Sequence, residues 1–452
     1  MQRYLASGLL EGIGPKLAER IVDHFGAETL EIIDQHPERL REVPDIGPKR
    51  MRIIAEAWEE QRQIKEIMIF LHGHGITTNL ALKIYKEYQD QSLSVVQNNP
   101  FQLARDIYGV GFKTADRIAQ SMGLPTDHPT RIEAGILFIL EEMVNEGHVY
   151  VPEQVMAERT IGLLSIDRPQ FTAGLERLEE GELVFTEEVP ISDDEPETTY
   201  RAVYLTPYYF AEIGLARRLN EMADVLLPRL SDIPPMFTAL SDNLSETQAE
   251  AVRTALSSPV SVLTGGPGTG KTTSLQALIA VAESARKRFA LASPTGRAAK
   301  RLSEATGKPA STIHRLLEYS PMEGFGRDAD NPLDVDILVV DEASMLDVLL
   351  ANSLLRALKP GTHLLLVGDV DQLPSVGAGD VLREIIASGR VPVTRLTEIF
   401  RQAAGSEIIT SAHQINQGEV PQFAAAPPVS TTTMLVCITC ITRPPRSIRS
   451  GS

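Results

Sequence analysis

Cysteine is nearly absent from this 452-residue sequence. Its two cysteines, Cys437 and Cys440, lie within the last sixteen residues, and the rest of the chain has no thiol. This distribution argues against a disulfide-stapled scaffold and is typical of a reducing compartment. The Cys-Ile-Thr-Cys pair lacks a second pair of ligands, so we do not expect a zinc site there.

The sequence also lacks a run of eighteen apolar residues and a signal-like leader after Met1. We therefore expect no membrane partner and no secretion, and predict a cytoplasmic protein. Basic residues are fewer than acidic ones: the sequence has 43 Lys and Arg and 60 Asp and Glu, which gives a formal net charge of −17. Such a charge opposes non-specific adhesion to nucleic acid, so local geometry must hold any polyanion.

A short glycine turn that opens into a helix recurs in the first quarter of the chain. GIGPKLAERI (12–21) returns as DIGPKRMRII (45–54), and related turns follow at HGHGITTNLALKIY (72–85) and GVGFKTADRIAQSMG (109–123). Apolar residues at helical spacing follow each turn. The pattern predicts short helices joined by glycine hairpins. The glycines allow positive φ angles and close approach of another backbone, and the free N–H groups at the start of the second helix make an anion site.

These stretches resemble helix-hairpin-helix modules, which hold the DNA backbone without reading sequence. On that resemblance Gly14, Gly47 and Gly111 are candidate DNA-binding residues. The alternative is that each glycine merely ends one helix and begins the next. Four copies favour the DNA-binding interpretation, and the 72–85 copy matches least well.

We divide the chain into five segments. The boundaries predict hairpin repeats over 1–125, a small winged-helix-like α+β domain over 126–225, a proline-containing linker over 226–244, a P-loop motor domain over 245–424 and an aberrant, disordered tail over 425–452. The acidic run within 187–197 is interpreted as a solvated loop. The fold class is therefore multidomain, mainly α at the front and α/β with a parallel sheet in the motor.

A nucleotide site is predicted where a short apolar strand, a glycine-rich loop and an amphipathic helix follow one another over 259–285. The loop has the form G-x-x-x-x-G-K-T, and strand before and helix after are the context that such a loop requires. Lys271 would reach the β- and γ-phosphates and the Thr272 hydroxyl would bind Mg²⁺. The candidate ATP-binding residues of the loop are Gly266, Pro267, Gly268, Thr269, Gly270, Lys271, Thr272 and Thr273.

Two further strands are predicted to end in catalytic side chains. DILVVDEASML (336–346) places Asp341 and Glu342 at a strand end, where Asp341 would bind Mg²⁺ and Glu342 would orient or deprotonate the attacking water. HLLLVGDVDQLP (363–374) ends in Gly368, Asp369 and Gln372, where a γ-phosphate sensor could lie, and Gln372 is the candidate. Arg401 in RLTEIFRQ is a second candidate to contact the γ-phosphate.

Seven ordered motifs together resemble the first motor domain of superfamily 1 DNA helicases. They are ETQAEAV, GGPGTGKTT, SPTGRAAKRL, TIHRLL, VVDEASM, GDVDQLPSVGAGDVL and LTEIFRQ. GAGDVL and the hairpin repeats narrow the resemblance to the RecD-like helicases. The resemblance implies an ATP-dependent helicase of DNA repair or recombination that moves 5′ to 3′ on single-stranded DNA and takes DNA with 5′ overhangs. It also implies that Gln248 contacts adenine and that Thr295, Arg297 and His314 lie on the DNA side.

The sequence departs from that family at both ends. Members of the family usually begin with a further small β-rich domain, and they continue past the position of Phe423 into a second motor domain. The last residues here have no acid after Glu419 and are rich in Thr, Ser and Pro. We therefore expect an incomplete chain, and the alternative to a helicase is an ATP- and DNA-binding module without motor activity. A phosphoryl-transfer kinase is disfavoured, because GDVDQLP and LTEIFRQ have no role in one.

Overall fold

The structure, a computed structural model, describes residues 13–192, 195–225, 244–398, 411, 414–415 and 418–421. Arg401, nearly all of the predicted linker and the predicted tail lie outside these residues. Within them, no helix is long and apolar enough to cross a membrane.

The front of the chain is helical. Its helices are α1 (Pro15–Phe25), α2 (Thr29–Gln35), α3 (Pro48–Gly73), α4 (Thr78–Tyr88), α5 (Ser92–Asn98), α6 (Gln102–Asp106) and α7 (Phe112–Ser121), with short 3₁₀ turns at Gly26–Glu28, Pro37–Glu42 and Gln89–Gln91. Each predicted glycine turn does precede a helix. Gly14 is the N-cap of α1 and Gly111 the N-cap of α7, while Gly47 comes directly before α3.

The four glycine turns pair into two separate hydrophobic cores. The first core joins Ile13 and Ile46, which precede Gly14 and Gly47, to the apolar faces of α1, α2 and α3. The second core joins Ile76 and Val110, beside the later two turns, to α4 and α7. All four of these side chains are buried. The internal repeat therefore forms two tandem units, each built from two copies.

A three-stranded antiparallel sheet with three helices follows. Its elements are α8 (Pro129–Asn145), β1 (Tyr150–Pro152), α9 (Glu153–Leu164), α10 (Arg168–Glu180), β2 (Val184–Ser192) and β3 (Glu195–Leu205). The strand order is β1-β3-β2, which with this helix order is the arrangement of a winged helix. The acidic run that we interpreted as a solvated loop lies largely within the long β2–β3 hairpin.

One apolar cluster runs from Phe101 and Phe112 through α8 to Phe171 and Val203. The Phe101 and Phe112 rings stack at 5.8 Å and the Phe112 and Phe138 rings at 5.2 Å. Packing is therefore continuous across the predicted boundary at residue 125, and that boundary stays a prediction.

The remaining described residues form an α/β unit. Its helices are α11 (Thr206–Ala223), α12 (Glu246–Ser257), α13 (Lys271–Ser284), α14 (Gly296–Thr306), α15 (Ile313–Leu316), α16 (Val348–Arg356) and α17 (Val381–Ala387), with a 3₁₀ turn at Ala343–Met345. Its main strands are β4 (Val260–Gly265), β5 (Phe289–Ser293), β6 (Ala310–Thr312), β9 (Ile337–Val340), β10 (His363–Gly368) and β11 (Val393–Leu396). A small hairpin comprises β7 (Tyr319–Ser320) and β8 (Gly324–Phe325).

The main sheet is wholly parallel in the order β11-β4-β10-β9-β5-β6. Strands β4, β9 and β10 are buried along nearly their whole length, as expected for a sheet covered by helices on both faces. Since all strands run the same way, the residues that follow β4, β9 and β10 meet at one edge. Ligands bind at this carboxyl edge in open α/β sheets.

Candidate functional site

The glycine-rich loop connects β4 to α13, as the sequence predicts. Gly268 and Gly270 have φ angles of 77° and 91°, a region that residues with a Cβ rarely adopt. A Cβ on Gly265 would lie 2.6 Å from the Leu396 carbonyl oxygen of β11. The loop therefore needs glycine for two separate reasons, its backbone conformation and the close approach of a neighbouring strand.

The Lys271 ammonium group folds over this loop. Its Nζ donates to the carbonyl oxygen of Gly266 at 3.1 Å and to that of Gly265. Burial lowers the pKa of Lys271, while the nearby carboxylates of Asp369, Glu342 and Asp341 oppose that shift. The positive charge of Lys271 thus lies among three carboxylates. Its hydrogen bonds to the two carbonyl oxygens are ones that phosphate oxygens could replace.

Asp341 and Glu342 follow β9 at the same edge. The Asp341 amide donates to the Ala292 carbonyl oxygen at 2.9 Å, which extends the pairing of β9 with β5. Burial, and then the neighbouring Glu342 carboxylate, raise the pKa of Asp341 to about 6. Glu342 has a φ of 56°, a left-handed conformation that is unusual for glutamate and common at functional sites.

The Gln372 side chain is held by Asp369, which follows the same strand, β10. The Asp369 carboxylate is 3% exposed and accepts hydrogen bonds from Gln372 Nε2 and from the Asp371 amide, both at 3.2 Å. Because β10 lies between β4 and β9, the residues directly after it lie between the glycine-rich loop and the end of the Asp341 strand, and the Asp369 carboxylate is close enough to Lys271 to raise its pKa.

The donor set at this edge suits a hard divalent cation. Asp341 and Glu342 crowd negative charge together, which raises the pKa of Asp341, and a bound cation would relieve that repulsion. The Thr272 side chain is exposed at the start of α13, and Ser344 Oγ is buried without a hydrogen-bond partner nearby. Within the described residues, no group of three or more His, Cys, Asp or Glu side chains is arranged to hold a metal ion by itself. Mg²⁺ commonly uses one or two protein ligands, with water and phosphate oxygens completing its shell.

Gln248 has a local structural role besides its predicted contact with adenine. It is 3% exposed, and its Oε1 accepts from the Ser245 amide at 3.1 Å in a capping box at the start of α12. Its amide nitrogen and the second lone pair of Oε1 are therefore left to meet a base. The adenine contact stays a prediction.

The residues predicted on the DNA side occupy the surface after β5 and β6. Thr295 is the N-cap of α14, and its hydroxyl accepts from the Ala298 amide at 3.3 Å. Arg297 and His314 are exposed. The His314 ring lies 5.4 Å from the Tyr319 ring and 5.7 Å from the Phe325 ring. DNA contacts by these residues stay predictions.

The glycine turns at the front differ from one another in backbone conformation. Gly14 and Gly111 have φ angles of −91° and −97°, whereas Gly75 has a φ of 74°. A Cβ added at Gly14, Gly47 or Gly111 would meet nothing within 4 Å. Neither backbone conformation nor internal packing therefore requires glycine at these exposed positions.

Three family models match successive parts of the chain. Residues 4–60 match a SAM-like helix-hairpin-helix tandem, residues 60–150 match the ATP-dependent RecD2 DNA helicase HHH domain, and residues 248–378 match an AAA domain. The second match includes α8 as well as the later pair of glycine turns.

Curated relatives agree with these matches. The chain is 34% identical to the ATP-dependent RecD2 DNA helicase of Deinococcus radiodurans over 424 residues, which cover 91% of this chain and 58% of that protein. It is 45% identical to the RecBCD enzyme subunit RecD of Mycolicibacterium smegmatis over 41% of this chain and 37% of that protein. The chain thus spans less than two thirds of the length of either relative.

A solved structure, the Pif1 helicase of Candida albicans, is 26% identical over 39% of this chain and 45% of its own, with a TM-score of 0.32. The hairpin tandems, the AAA domain and the similarity over 91% of the chain agree with one another. Over most of its length the chain is therefore similar to the RecD-like helicases.

Proposed function

We propose that this chain binds MgATP at the carboxyl edge of its parallel sheet and holds DNA with its hairpin units. In this proposal it supplies the front end and first motor domain of an ATP-dependent helicase that moves 5′ to 3′ on single-stranded DNA and loads on DNA with 5′ overhangs. The observation that carries the proposal is the meeting of Lys271, Asp341, Glu342 and Asp369 beside the glycine-rich loop.

In this proposal each residue at this edge has a separate role in phosphoryl transfer. Lys271 would exchange the Gly266 carbonyl oxygen for phosphate oxygens and neutralise their charge. Glu342 would accept a proton from the attacking water, and Gln372, held by Asp369, would contact the γ-phosphate. A magnesium ion at Thr272 and Asp341 would draw charge from the β- and γ-phosphates when bound. Arg401 is proposed as a further contact to the γ-phosphate.

The hairpin units would hold DNA through backbone amides. The first N–H groups of a helix have no intrahelical partner, and no side chain caps α1 or α7. Since Gly14, Gly47 and Gly111 have no Cβ, a phosphate can approach those amides closely. Binding of this kind needs no net positive charge, which reconciles DNA binding with a net charge of −17.

The alternative is an ATP- and DNA-binding module without motor activity. The chain covers 58% of the RecD2 relative, so the part of that relative that it does not match is large. An arginine supplied across a cleft between domains accelerates hydrolysis by about 10³- to 10⁵-fold in related phosphoryl-transfer enzymes. We therefore expect the 452-residue chain to bind nucleotide with little DNA-stimulated hydrolysis and no unwinding.

The test compares the 452-residue chain with a version extended after residue 424 by a second motor domain. Both should bind MgATP, and the extended version alone should separate a duplex with a 5′ overhang. Glu342→Gln should abolish ATP hydrolysis and unwinding by the extended version without loss of MgATP binding. Robust unwinding by the 452-residue chain, or by the extended chain from a 3′ overhang only, would contradict the proposal.

A further inference from the structure

A large cavity lies away from the nucleotide edge, between the winged-helix-like region and the motor. Its volume is about 950 Å³. Its walls come from the β2–β3 hairpin, from α11 and from α17 with the residues just before it. That volume lies at the upper end of the range of small-molecule pockets.

The walls of this cavity carry an excess of acid. Its lining includes five carboxylates, which are those of Glu187, Glu188, Glu212, Asp380 and Glu384. Asp380 pairs with Arg383 at 2.8 Å, Glu188 accepts a hydrogen bond from Thr199 at 2.8 Å, and Glu212 interacts with the Tyr204 hydroxyl. Within the described part of the chain, Glu187, Glu212 and Glu384 have no ion-pair partner.

Basic groups at the cavity do not offset this charge. The lining contains Arg390 and His148. Arg390 is already paired, since it donates to the Asn220 side-chain oxygen at 3.2 Å and to Asp224 at 3.4 Å. The carboxylates of Glu187, Glu212 and Glu384 therefore line the cavity without an ion-pair partner among the described residues.

The pKa of Glu212 reflects this excess of negative charge. Burial raises its pKa, the Tyr204 hydroxyl lowers it, and the carboxylates of Glu187 and Glu384 raise it further. Those two carboxylates come from different walls, one from β2 and one from α17. A cationic ligand between the walls would replace repulsion among carboxylates with attraction.

Tyrosine rings line the cavity between the carboxylates. The Tyr150 and Tyr204 rings lie 5.2 Å apart, and the Tyr150 hydroxyl shares a 2.7 Å hydrogen bond with the Tyr200 hydroxyl. Burial, then Tyr200, Glu212 and Glu384, raise the pKa of Tyr150 to about 12, so its ring stays neutral at ordinary pH. Neutral aromatic faces beside carboxylates form a good environment for alkylammonium groups.

The spread of the carboxylates indicates what kind of cation fits. No group of three or more His, Cys, Asp or Glu side chains in the described residues is arranged to hold a metal ion, so the acids do not form a cage for a bare ion. They lie on separate walls of a cavity with an apolar floor that includes Leu215, Val348 and Val381. We propose that this cavity binds a linear aliphatic polyamine, with its ammonium groups at Glu187, Glu212 and Glu384 and its methylene chain against the tyrosine rings.

Such a ligand would connect the front of the protein to the motor. Gly379, which lines the cavity, donates its amide hydrogen to the Gly147 carbonyl oxygen at 3.0 Å, so the walls already touch at one point. Binding to the folded state alone raises the free energy of unfolding by mass action. A polyamine should therefore raise the melting temperature of the full chain without nucleotide or DNA.

The experiment titrates spermidine into the 452-residue chain by calorimetry at constant ionic strength, without DNA, ATP or Mg²⁺. Glu212→Gln should weaken binding at least about tenfold, as expected when an ion pair of a partly desolvated group is lost. Glu384→Gln should weaken it by about threefold, because the Glu384 carboxylate is exposed. Glu221→Gln is the matched control, because Glu221 lies on α11, is 57% exposed and does not line the cavity. It should bind spermidine as the unaltered chain does.

Three results would overturn the proposal. Equal weakening by all three substitutions would mean diffuse attraction to an acidic surface. Displacement of spermidine by Mg²⁺ at equal ionic strength would mean a metal-binding surface, and stronger binding of an arginine-rich peptide with the same dependence on Glu212 would mean a protein partner. Glu384 is exposed, so Glu384→Gln is expected to fold even where Glu212→Gln does not. Undiminished MgATP affinity checks the fold of each variant.

Discussion

The buried Asp369 carboxylate accepts a hydrogen bond from Gln372 Nε2 at 3.2 Å, so the side chain predicted to sense the γ-phosphate is held by an aspartate of the same strand end. Asp369 also interacts electrostatically with Lys271 on the facing loop. The two roles can be separated by comparing ATP with ADP, since Gln372 would contact only the terminal phosphate.

We expect Asp369→Ala to weaken MgATP binding by about tenfold and MgADP binding much less, because a loose Gln372 loses a hydrogen bond to a charged phosphate. Asp369→Asn keeps an acceptor for Gln372 and should retain most of the preference for ATP. Affinities for both nucleotides are measured by titration with fluorescent analogues. An equal loss for ATP and ADP would show that Asp369 acts through Lys271 instead.

Lys271→Ala should weaken the binding of both ATP and ADP by about 10- to 100-fold, because it removes a positive charge that would pair with the phosphates. The matched control is Lys300→Ala, since Lys300 is 79% exposed on α14 and pairs only with Glu304 at 3.8 Å. Equilibrium titration of both variants checks the prediction. Unchanged affinity in Lys271→Ala would remove the glycine-rich loop from the proposed site.

The triple change Gly14→Val, Gly47→Val and Gly111→Val should weaken DNA binding by about tenfold for any sequence, because side chains then cover amides that a phosphate would approach. Dependence of affinity on salt should become shallower. Stability should fall by less than about 2 kcal/mol, since a Cβ at these sites meets nothing within 4 Å and the φ angles at Gly14 and Gly111 are not in the left-handed region.

Gly162→Val is the control for the hairpin variant, because its Cβ would also meet open space but it lies on α9, away from the turns. Fluorescence anisotropy on labelled single strands and duplexes gives the affinities, and MgATP affinity should stay constant. If the triple variant binds DNA as the parent does, the turns are helix connectors only.

Asp341→Asn should stabilise the Mg²⁺-free protein at neutral pH. The folded state raises the pKa of Asp341 from 3.8 to about 6, so the folded chain holds this proton more tightly than the unfolded chain does. That contribution is complete below about pH 4 and is lost as the pH rises through about 6. The amide of the variant is neutral, so the variant avoids the cost of burying a charged carboxylate. The gain in the free energy of unfolding should be about 1–3 kcal/mol at pH 7.5 and near zero at pH 4.

Thermal unfolding at several pH values in the presence of a chelator measures this effect. Adding Mg²⁺ with ATP should reverse the order of stability, because the parent carboxylate then has a cation to pair with. A gain that is the same at pH 4 and pH 7.5 would assign it to packing rather than to the buried charge.

The amino-acid sequence by itself determined the glycine-rich loop, the acidic strand end and the repeated hairpin turns. These features are local, because a strand, a loop and a helix follow one another within about thirty residues and their glycine and apolar spacings leave few alternatives. The helices after Gly14, Gly47 and Gly111 begin where the pattern predicts. Even here the φ angles at Gly14 and Gly111 were not predictable, since a glycine permits either sign.

Only the tertiary structure decided which distant segments meet. Strand order places β10 between β4 and β9 and so brings Asp369 close to Lys271. The cavity that joins Glu187, Glu212 and Glu384 combines residues that lie far apart in the chain. Contacts between such distant residues depend on how whole helices and strands pack. The hydrophobic effect that drives this packing is non-directional, so a local sequence pattern shows which side chains are buried but not which distant element covers them.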